Sequence, residues 1–373
     1  MRIAIDALGI NKFGGGRTAT LFLLQKLFEM DTQNQYLVAL SDYEPSLATT
    51  AGNVKQWIIP IKNRFLVRII AQLIFPFKLR GYDVVHFTKN LNLVGPLPPQ
   101  IVTMFDVTIL LHPELMPRID YWYYKYIQKY TLRKAQRLIA ISKDVAEGVK
   151  KFYGIPDEII KVIYLAPAEH FKRSSMDQIK IVRKKYSLPE KYFIHIGHLD
   201  RKKNLTNLVK AFYITRQKTG FEGKLVLVGE KYPKGHDAEL VPTINNLGIS
   251  NEVIFTGGIP DEDLPAVLSG ALAKVFPSIH EGFGLAVIEA MACGTPVIVG
   301  RAGAVEEIVA DNGILLENIE VETIAEALIQ IITDDSLRSQ LSKKGLERSI
   351  NFSWQKAAEQ TLEIYYEFSR GKN

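Results

Sequence analysis

The sequence predicts two α/β domains in tandem, each a doubly wound parallel sheet, and three observations carry that expectation. Short apolar runs alternate with amphipathic helical stretches through most of the chain. The alternation pauses in a Pro- and charge-rich connection near 166–190 and then restarts. The 373 residues also divide into roughly two domains at ~150 residues each. The expected boundaries are 1–168 and 169–352, with a last helix at 353–373 treated separately.

The elements follow in order. Residues 2–8 (RIAIDAL) read as a buried strand that runs into a Gly loop and then a helix carrying Leu21, Leu24, Leu27 and Phe28 at helical spacing. Residues 36–40, 57–61, 83–87, 101–105 and 137–141 read as further strands, with helices between several of them, including 121–135 and 143–152. In the second half, strands are expected at 192–196, 224–228, 253–255, 274–277, 296–299 and 313–316. Helices are expected between them at 204–217, 238–247, 262–269, 285–293, 304–309 and 321–332. Such βα alternation implies mainly parallel sheets covered on both faces. Ser353 is a plausible cap for a final helix with Ala357, Ala358, Leu362, Tyr365 and Tyr366 on its apolar side. Where that helix docks does not follow from chain closure.

Composition narrows the function classes. Hydrophobic residues at 47% and charged residues at 23% suit a globular chain, not a disordered, collagenous or multi-span one. A single cysteine, Cys293, excludes an intrachain disulfide framework and a cysteine-clustered zinc site, and fits a reducing, cytoplasmic compartment. Asp6 interrupts the apolar N-terminus, which does not read as a secretory signal, and no run approaches the ~20 apolar residues of a spanning helix. The charge is uneven. Residues 1–165 carry 21 Lys+Arg against 13 Asp+Glu, whereas residues 166–373 carry 25 against 27. A basic first half implies an anionic partner.

Open α/β sheets bind ligands at the carboxyl ends of their strands, so the expected site is the cleft that two such domains face. Four features point there. The segment PSIHEGFGLAVIEAMACG (277–294) runs from a strand end through Glu281 into a helix opening near Gly284, whose free N–H groups suit a phosphate. Glu289 lies inside that otherwise apolar helix, and a carboxylate there needs hydroxyl or amide partners. The alternative is a solvated Glu281 and a Glu289 bonded to backbone. HIGHLDRKKN (195–204) places Lys202 and Lys203 at a helix start, where the dipole disfavours cations unless an anion joins them; otherwise this is an exposed basic turn.

Gly14-Gly15-Gly16-Arg17 lacks the G-x-G-x-x-G spacing of dinucleotide enzymes, but could reach a phosphate from the cleft edge, or be a plain turn. Residues 63–81 carry RFLVRIIAQLIFPFKLRG. With Lys62, this stretch has five cations and no acid beside Leu66, Ile69, Ile70, Leu73, Ile74, Phe75 and Phe77. That suits the surface of an anionic membrane, extended by the Tyr-, Trp- and Lys/Arg-rich 118–137, or a core helix with a solvated edge. Nucleic acid is excluded as a partner because no recognition motif accompanies the charge.

Glu281-x7-Glu289 with Phe283, Gly284, the AMACGTPVIV continuation and the Lys202-Lys203-Asn204 turn resembles the retaining glycosyltransferase family 4, of GT-B fold. The likeness runs from the N-terminal Gly loop to the FSW at 352–354. It implies two Rossmann-like domains and a nucleotide-sugar donor, GDP- or UDP-linked, bound mainly by the C-terminal domain, with no cofactor. In that resemblance Lys202 and Lys203 hold the donor diphosphate and Glu281 accepts hydroxyls of the transferred sugar. Phe283, Gly284 and Leu285 offer backbone N–H groups, and Glu289 binds the ribose. Gly15 and Gly16 approach the phosphates, and the last helix crosses back onto the N-terminal domain.

The chain departs from the family at Phe105, where many members place His; it keeps Asp106. His86 or His112 are the nearby candidates to replace that His. Asp106, Lys203 and Glu281 are the expected catalytic residues, and no metal is implied because no Asp-x-Asp pair is present. The expected activity is hexose transfer, mannose or glucose, to a lipid-linked or cell-surface glycan at the inner membrane face. The GHLDRKKN turn favours GDP-mannose over UDP-glucose, with base selectivity expected near 229–232 and 254–260. A non-catalytic sugar-nucleotide-binding subunit and a GT-B sugar-nucleotide epimerase are the alternatives.

Overall fold

Arg2–Asp6 forms the first strand (β1), four of its five residues buried, and it ends where chemistry stops it. The Asp6 carboxylate accepts the Leu8 N–H at 3.0 Å and pairs with Arg68, turning the backbone out of the sheet. The computed structural model describes all residues except 9, 11–13, 62, 116–117, 230–236 and 370–373. It divides into two units, residues 1–165 with 353–373, and residues 166–352.

Unit 1 contains β1, β2 (Gln35–Leu40), β3 (Val54–Ile58), β4 (Val84–Phe87), β5 (Gln100–Met104), β6 (Arg137–Ala140) and β7 (Ile160–Val162). They pair in parallel in the order β3-β2-β1-β4-β5-β6-β7. Ile3, Ile5, Val38, Val85, Phe87 and Val102 are almost fully buried in it, each contributing ~1.5–3 kcal/mol. Strand β3 lies three residues before the expected 57–61. It is an edge strand, and its Val-Lys-Gln-Trp-Ile pattern hides among polar residues. Strand β7, three residues at the other edge, was not expected.

The expected 121–135 helix is broken into Arg118–Trp122, a π-helical stretch Tyr123–Gln128, and Lys129–Leu132. The π turn brings Gln128 fully into the core, where its amide bonds the Asn90 carbonyl and accepts the Tyr153 hydroxyl. The last helix, Trp354–Glu367, is capped by Ser353 and belongs to unit 1, packed on the Gly15–Met30 helix. Trp354 stacks on Phe22 at 6.0 Å and the Tyr365 hydroxyl meets His86 Nδ1 at 2.7 Å.

Unit 2 contains β8 (Tyr192–Ile196), β9 (Lys224–Val228), β10 (Val253–Gly257), β11 (Ala273–Phe276), β12 (Val297–Gly300) and β13 (Ile314–Leu316). Their order is β10-β9-β8-β11-β12-β13, again parallel. Phe193, Leu227, Val275 and Ile298 meet Leu208, Phe212 and Leu328 of covering helices in one core. Two helices were not expected: Met176–Lys185, which carries a Ser175–Gln178 capping box, and Asp335–Ser349. Both bury few apolar residues, so their periodicity is faint. No helix among the described residues is long and apolar enough to cross a membrane.

Candidate functional site

Strands β8 and β11 are neighbours in space though not in sequence, and there the strand order of unit 2 reverses. Loops leaving the carboxyl ends of two such strands diverge and open a crevice between them. Here those loops are 197–204 and 277–284, and the backbone ties them together: the Ile279 N–H donates to the Lys202 carbonyl at 2.8 Å. The first loop closes in a short turn, Arg201–Lys203, and Asn204 takes a left-handed conformation (φ 55°) before the Leu205–Thr219 helix. Lys202 and Lys203 therefore precede that helix and do not lie in its first turn.

The charges at the crevice meet at one carboxylate. Lys203 Nζ lies 2.6 Å from Glu281 Oε1 and Lys202 Nζ lies 3.8 Å from Oε2, with all three side chains less than a fifth exposed. Glu281 is held from its own backbone as well: its N–H donates to Ala302 at 3.2 Å and its carbonyl accepts from Ala304 at 3.0 Å. Beneath it the Lys203 ammonium stands 4.8 Å from the Phe276 ring centroid, and His195 stacks on that ring at 5.7 Å. His195 is fully buried, and its Nδ1 donates to the Val275 carbonyl at 3.0 Å. Burial, then Lys274 and Lys203, push its pKa down to about 3, so the ring is neutral.

The second loop leads into the Leu285–Ala292 helix. Gly284 opens it in a left-handed conformation (φ 87°) with no side chain capping the first turn, and a Cβ there would press on Val305 Cγ2 at 3.0 Å. Phe283 is buried edge-on against Phe352 at 6.0 Å, and Leu285 is half-buried. Glu289 has no side-chain hydrogen bond among the described residues. Burial raises the pKa of Glu289, and the ammonium of Lys274 pulls it back down. That lysine was not singled out from the sequence, because Ala-Lys-Val-Phe reads as an ordinary apolar strand. Lys274 is fully buried, with one long bond (3.4 Å) to the Ile196 carbonyl, and burial lowers its pKa.

Gly229 entered the sequence reading only as the start of the base-selecting stretch 229–232, although a glycine directly after a strand is also a readable signal of close backbone approach. A Cβ at Gly229 would lie 1.9 Å from the Gly197 carbonyl oxygen, so the turns after β8 and β9 pass in contact. The expected base-selecting stretch 229–232 lies outside the described residues from 230 onward; 254–260 spans the end of β10 and the turn after it.

The structure brings Lys202, Lys203, Glu281, Phe283, Gly284, Leu285 and Glu289 together in unit 2. Gly15, Gly16 and Asp106 belong to unit 1. Gly15 and Gly16 open the first helix with no side-chain cap, and a Cβ on either would meet nothing within 4 Å. Asp106 follows β5, and its carboxylate accepts the Thr108 N–H.

His86 cannot stand in for the missing histidine. It is fully buried, with Nδ1 on the Tyr365 hydroxyl and Nε2 on the Thr103 hydroxyl, both at 2.7 Å, and burial lowers its pKa to about 3. Its place is structural, holding the last helix. His112 pairs with Glu114 at 3.2 Å. Among the described residues no group of three or more His, Cys, Asp or Glu is placed to hold a metal.

Comparison with known proteins adds independent findings. The family described as "Glycosyl transferases group 1" matches residues 178–348, and "Glycosyltransferase Family 4" matches residues 13–166. O-antigen chain mannosyltransferase B of Escherichia coli is 27% identical over 289 residues, 77% of this chain and 75% of that protein. The serotype-specific mannosyltransferase WbdA of Escherichia coli is 27% identical over 233 residues, 62% of this chain; the match spans 28% of WbdA. The crystal structure of Anabaena HepE in complex with UDP and glucose has a TM-score of 0.78, covering 98% of this chain and all of that one at 19% identity. At that identity the likeness is one of fold, and the fold is GT-B.

Proposed function

The chain belongs to the glycosyltransferases of group 1 and family 4, and from that premise we propose a metal-independent, retaining transfer of mannose from a nucleotide donor to a glycan. One observation carries the reading: two ammoniums converge on one carboxylate, 2.6 and 3.8 Å away, where the strand order of a parallel sheet reverses. Asp200 lies within electrostatic reach of the same three groups and burial raises its pKa, so a diphosphate would compete with these carboxyls for the two ammoniums. The uncapped helix start at Gly284 adds a partial positive charge beside them.

In this reading the acceptor hydroxyl oxygen bonds to the anomeric carbon on the face from which the phosphate oxygen departs. The hydroxyl proton passes to that leaving oxygen, which needs no side-chain base. Lys202 and Lys203 neutralise the charge that develops on the diphosphate, the largest electrostatic contribution such a site makes. Glu281 accepts sugar hydroxyls and Glu289 the ribose hydroxyls, while Phe283, Gly284 and Leu285 offer backbone N–H groups. The family resemblance assigns Asp106, Gly15 and Gly16 to the same donor and reaction.

The mannosyltransferase relatives favour a mannose donor over the UDP and glucose bound by HepE, and the GHLDRKKN turn favours GDP as its carrier. The acceptor is a lipid-linked or growing surface glycan, consistent with the O-antigen relative and with the basic first half of the chain. Phe105, half-buried in the place of the family's histidine, favours one second reading: a subunit that binds the donor without turning it over.

A thermal-shift panel of GDP-mannose, UDP-glucose and the free nucleotides tests the donor. A ligand at 100 times its Kd stabilises by ~2.7 kcal/mol. GDP-mannose is expected to give the largest shift, and Lys203→Ala to remove it; a shift untouched by both Lys203→Ala and Glu289→Ala overturns the site. Sugar transfer to a glycan primer separates the enzyme from the binding subunit.

A further inference from the structure

Half of the large hydrophobic side chains exposed among the described residues lie on two short segments of unit 1. Nine of eighteen belong either to the Arg64–Lys78 helix or to the broken helix 118–132. The Arg64–Lys78 helix is apolar on two sides. Val67, Ala71 and Phe75 face the core, while Leu66, Ile69, Leu73 and Phe77 face out, with Phe77 84% exposed. On the broken helix, Ile119, Trp122, Tyr126, Ile127 and Tyr130 are exposed. A soluble surface rarely gathers such residues without a partner.

Between the two segments runs a groove of about 380 Å³, lined by Ile69, Leu73, Leu93, Tyr123, Ile127 and Tyr130 among others. Its walls are pinned by side-chain amides. Gln72 both donates to and accepts from the backbone of Val94, which fixes the 91–94 loop against the helix. Asn92 donates to Gln100 Oε1 and to the Thr131 carbonyl, both at 2.8 Å, and Gln128 is bonded to Asn90 and Tyr153. Apart from Asn92 Oδ1, which is buried with no partner among the described residues, these amides are spent on holding the walls, and the groove offers mostly apolar surface in a preformed shape.

The rim chooses the occupant. Lys78, Arg80, Arg118, Lys125 and Lys134 are exposed on or beside the two segments, Lys134 against the groove-lining Tyr130, and Arg68 lines the groove itself; residues 64–80 contain no acid while 118–137 contain one, Asp120. The lysines lie against rings: Lys125 over Tyr121, Trp122 and Tyr126 at 5.3–5.8 Å, Lys134 over Tyr130 and Lys78 over Trp57, each at 5.5 Å. Apolar side chains inside, aromatic rings and ammoniums at the edge, is the order of groups that a lipid presents in reverse. A protein partner selected by charge would meet mixed signs; residues 64–80 and 118–137 together carry ten Lys and Arg against one acid.

We propose that the groove between Arg64–Lys78 and the 118–132 helices holds the hydrocarbon chain of a phosphate-bearing lipid, its anionic head at Lys134 beside the Tyr130 wall. The inference deepens the lipid-linked acceptor proposed above and rests on that reading for its place in the reaction. Its test does not pass through the donor site, so the two fail separately.

The probe is an alkyl phosphate series, octyl to dodecyl, titrated into the full chain by calorimetry below the micellar concentration, with inorganic phosphate alongside. The expected result is saturable binding that tightens at least roughly tenfold from octyl to dodecyl, since each buried methylene is worth about fourfold in affinity. Inorganic phosphate is expected not to compete. Ile69→Glu and Ile127→Glu, both on exposed positions, should weaken dodecyl phosphate at least tenfold and leave the nucleotide-sugar thermal shift unchanged. Ile350→Glu, on an exposed residue of unit 2, should change neither.

Affinity independent of chain length overturns the proposal, and that arm uses the unaltered protein. Equal binding by the groove variants overturns it too. Binding to vesicles of anionic phospholipid without binding to dodecyl phosphate also overturns it, because the face would then rest on a bilayer without taking a chain.

Discussion

Replacing Lys203 by Met separates the electrostatics of the crevice from its packing, because Met keeps the length and loses the charge. At an effective dielectric near 20, the gross attraction of Glu281 is about 6 kcal/mol to Lys203 at 2.6 Å and about 4 kcal/mol to Lys202 at 3.8 Å. Desolvation of three side chains less than a fifth exposed offsets most of both. Breaking an isolated buried pair costs ~3–5 kcal/mol. Lys202 remains to neutralise Glu281, so Lys203→Met should lose less, ~2 kcal/mol.

Glu281→Gln leaves Lys203 over the Phe276 ring, which retains part of its stabilisation, and should cost ~1–2 kcal/mol. The double variant should then cost less than the sum, by at least ~1 kcal/mol. Urea unfolding of all four proteins measures the cycle. In a transfer assay, Lys203→Met should also lower kcat by ~10²–10³. Additivity within ~0.5 kcal/mol would refute the pairing, and unchanged turnover would refute the role given to the ammonium.

Gly229→Ala places a Cβ 1.9 Å from the Gly197 carbonyl at φ 141°, so it should cost ~2–4 kcal/mol by thermal melting and weaken donor binding as the turns are forced apart; a neutral variant contradicts the contact. His86 and His195 are buried neutral with pKa values lowered to about 3, so the unfolded chain binds protons that the fold refuses. Stability is then full above the ordinary imidazole value of 6.5 and lost as pH falls from there toward 3. The slope approaches ~2.7 kcal/mol per pH unit for two protons, and His86→Gln should about halve it. Lys274→Met removes the cation that holds down the raised pKa of Glu289. The folded state then grips that proton harder, so the fall in stability that begins above pH 4.5 should continue past about 8, where it ends in the unaltered protein, as followed by urea midpoints across pH.

Residue pattern carried the architecture further than the details. The βα alternation was enough for two parallel sheets, since runs such as Phe-Ile-His-Ile and Leu-Val-Leu-Val are apolar on both faces. It failed at the edges and on the surface. β3 and β7 are edge strands with Lys and Gln among few apolar residues, and the Met176–Lys185 and Asp335–Ser349 helices are mostly solvated. Spacing was enough to single out Glu281, Glu289, Lys202 and Lys203, because charged groups beside glycines after a strand are conspicuous. Lys274 was hidden for the opposite reason. A lysine inside an apolar strand looks like an outward-facing residue, and only the three-dimensional path of β11, covered on both sides, buries it. The π turn at Tyr123–Gln128 has no sequence signature either, since its cause is the distant demand of Asn90 and Tyr153 for the Gln128 amide.

The buried lysine matters to the charge of the crevice as a whole. On the proposed reading a diphosphate must sit near the start of the Leu285–Ala292 helix, with Glu281 before that start and Glu289 inside the helix. Two carboxylates flanking a dianion are a poor anion site unless cations offset them. Lys274 is close enough to Glu289 that each shifts the other, and the pair is neutral overall whether the proton sits on the amine or on the carboxyl. The strand thus cancels the charge of the helix glutamate from a position no solvent counter-ion can replace. Without Lys274 an ionised Glu289 would repel the leaving diphosphate; with it the ammoniums of Lys202 and Lys203 answer only to the carboxylates of the loops, Glu281 and Asp200.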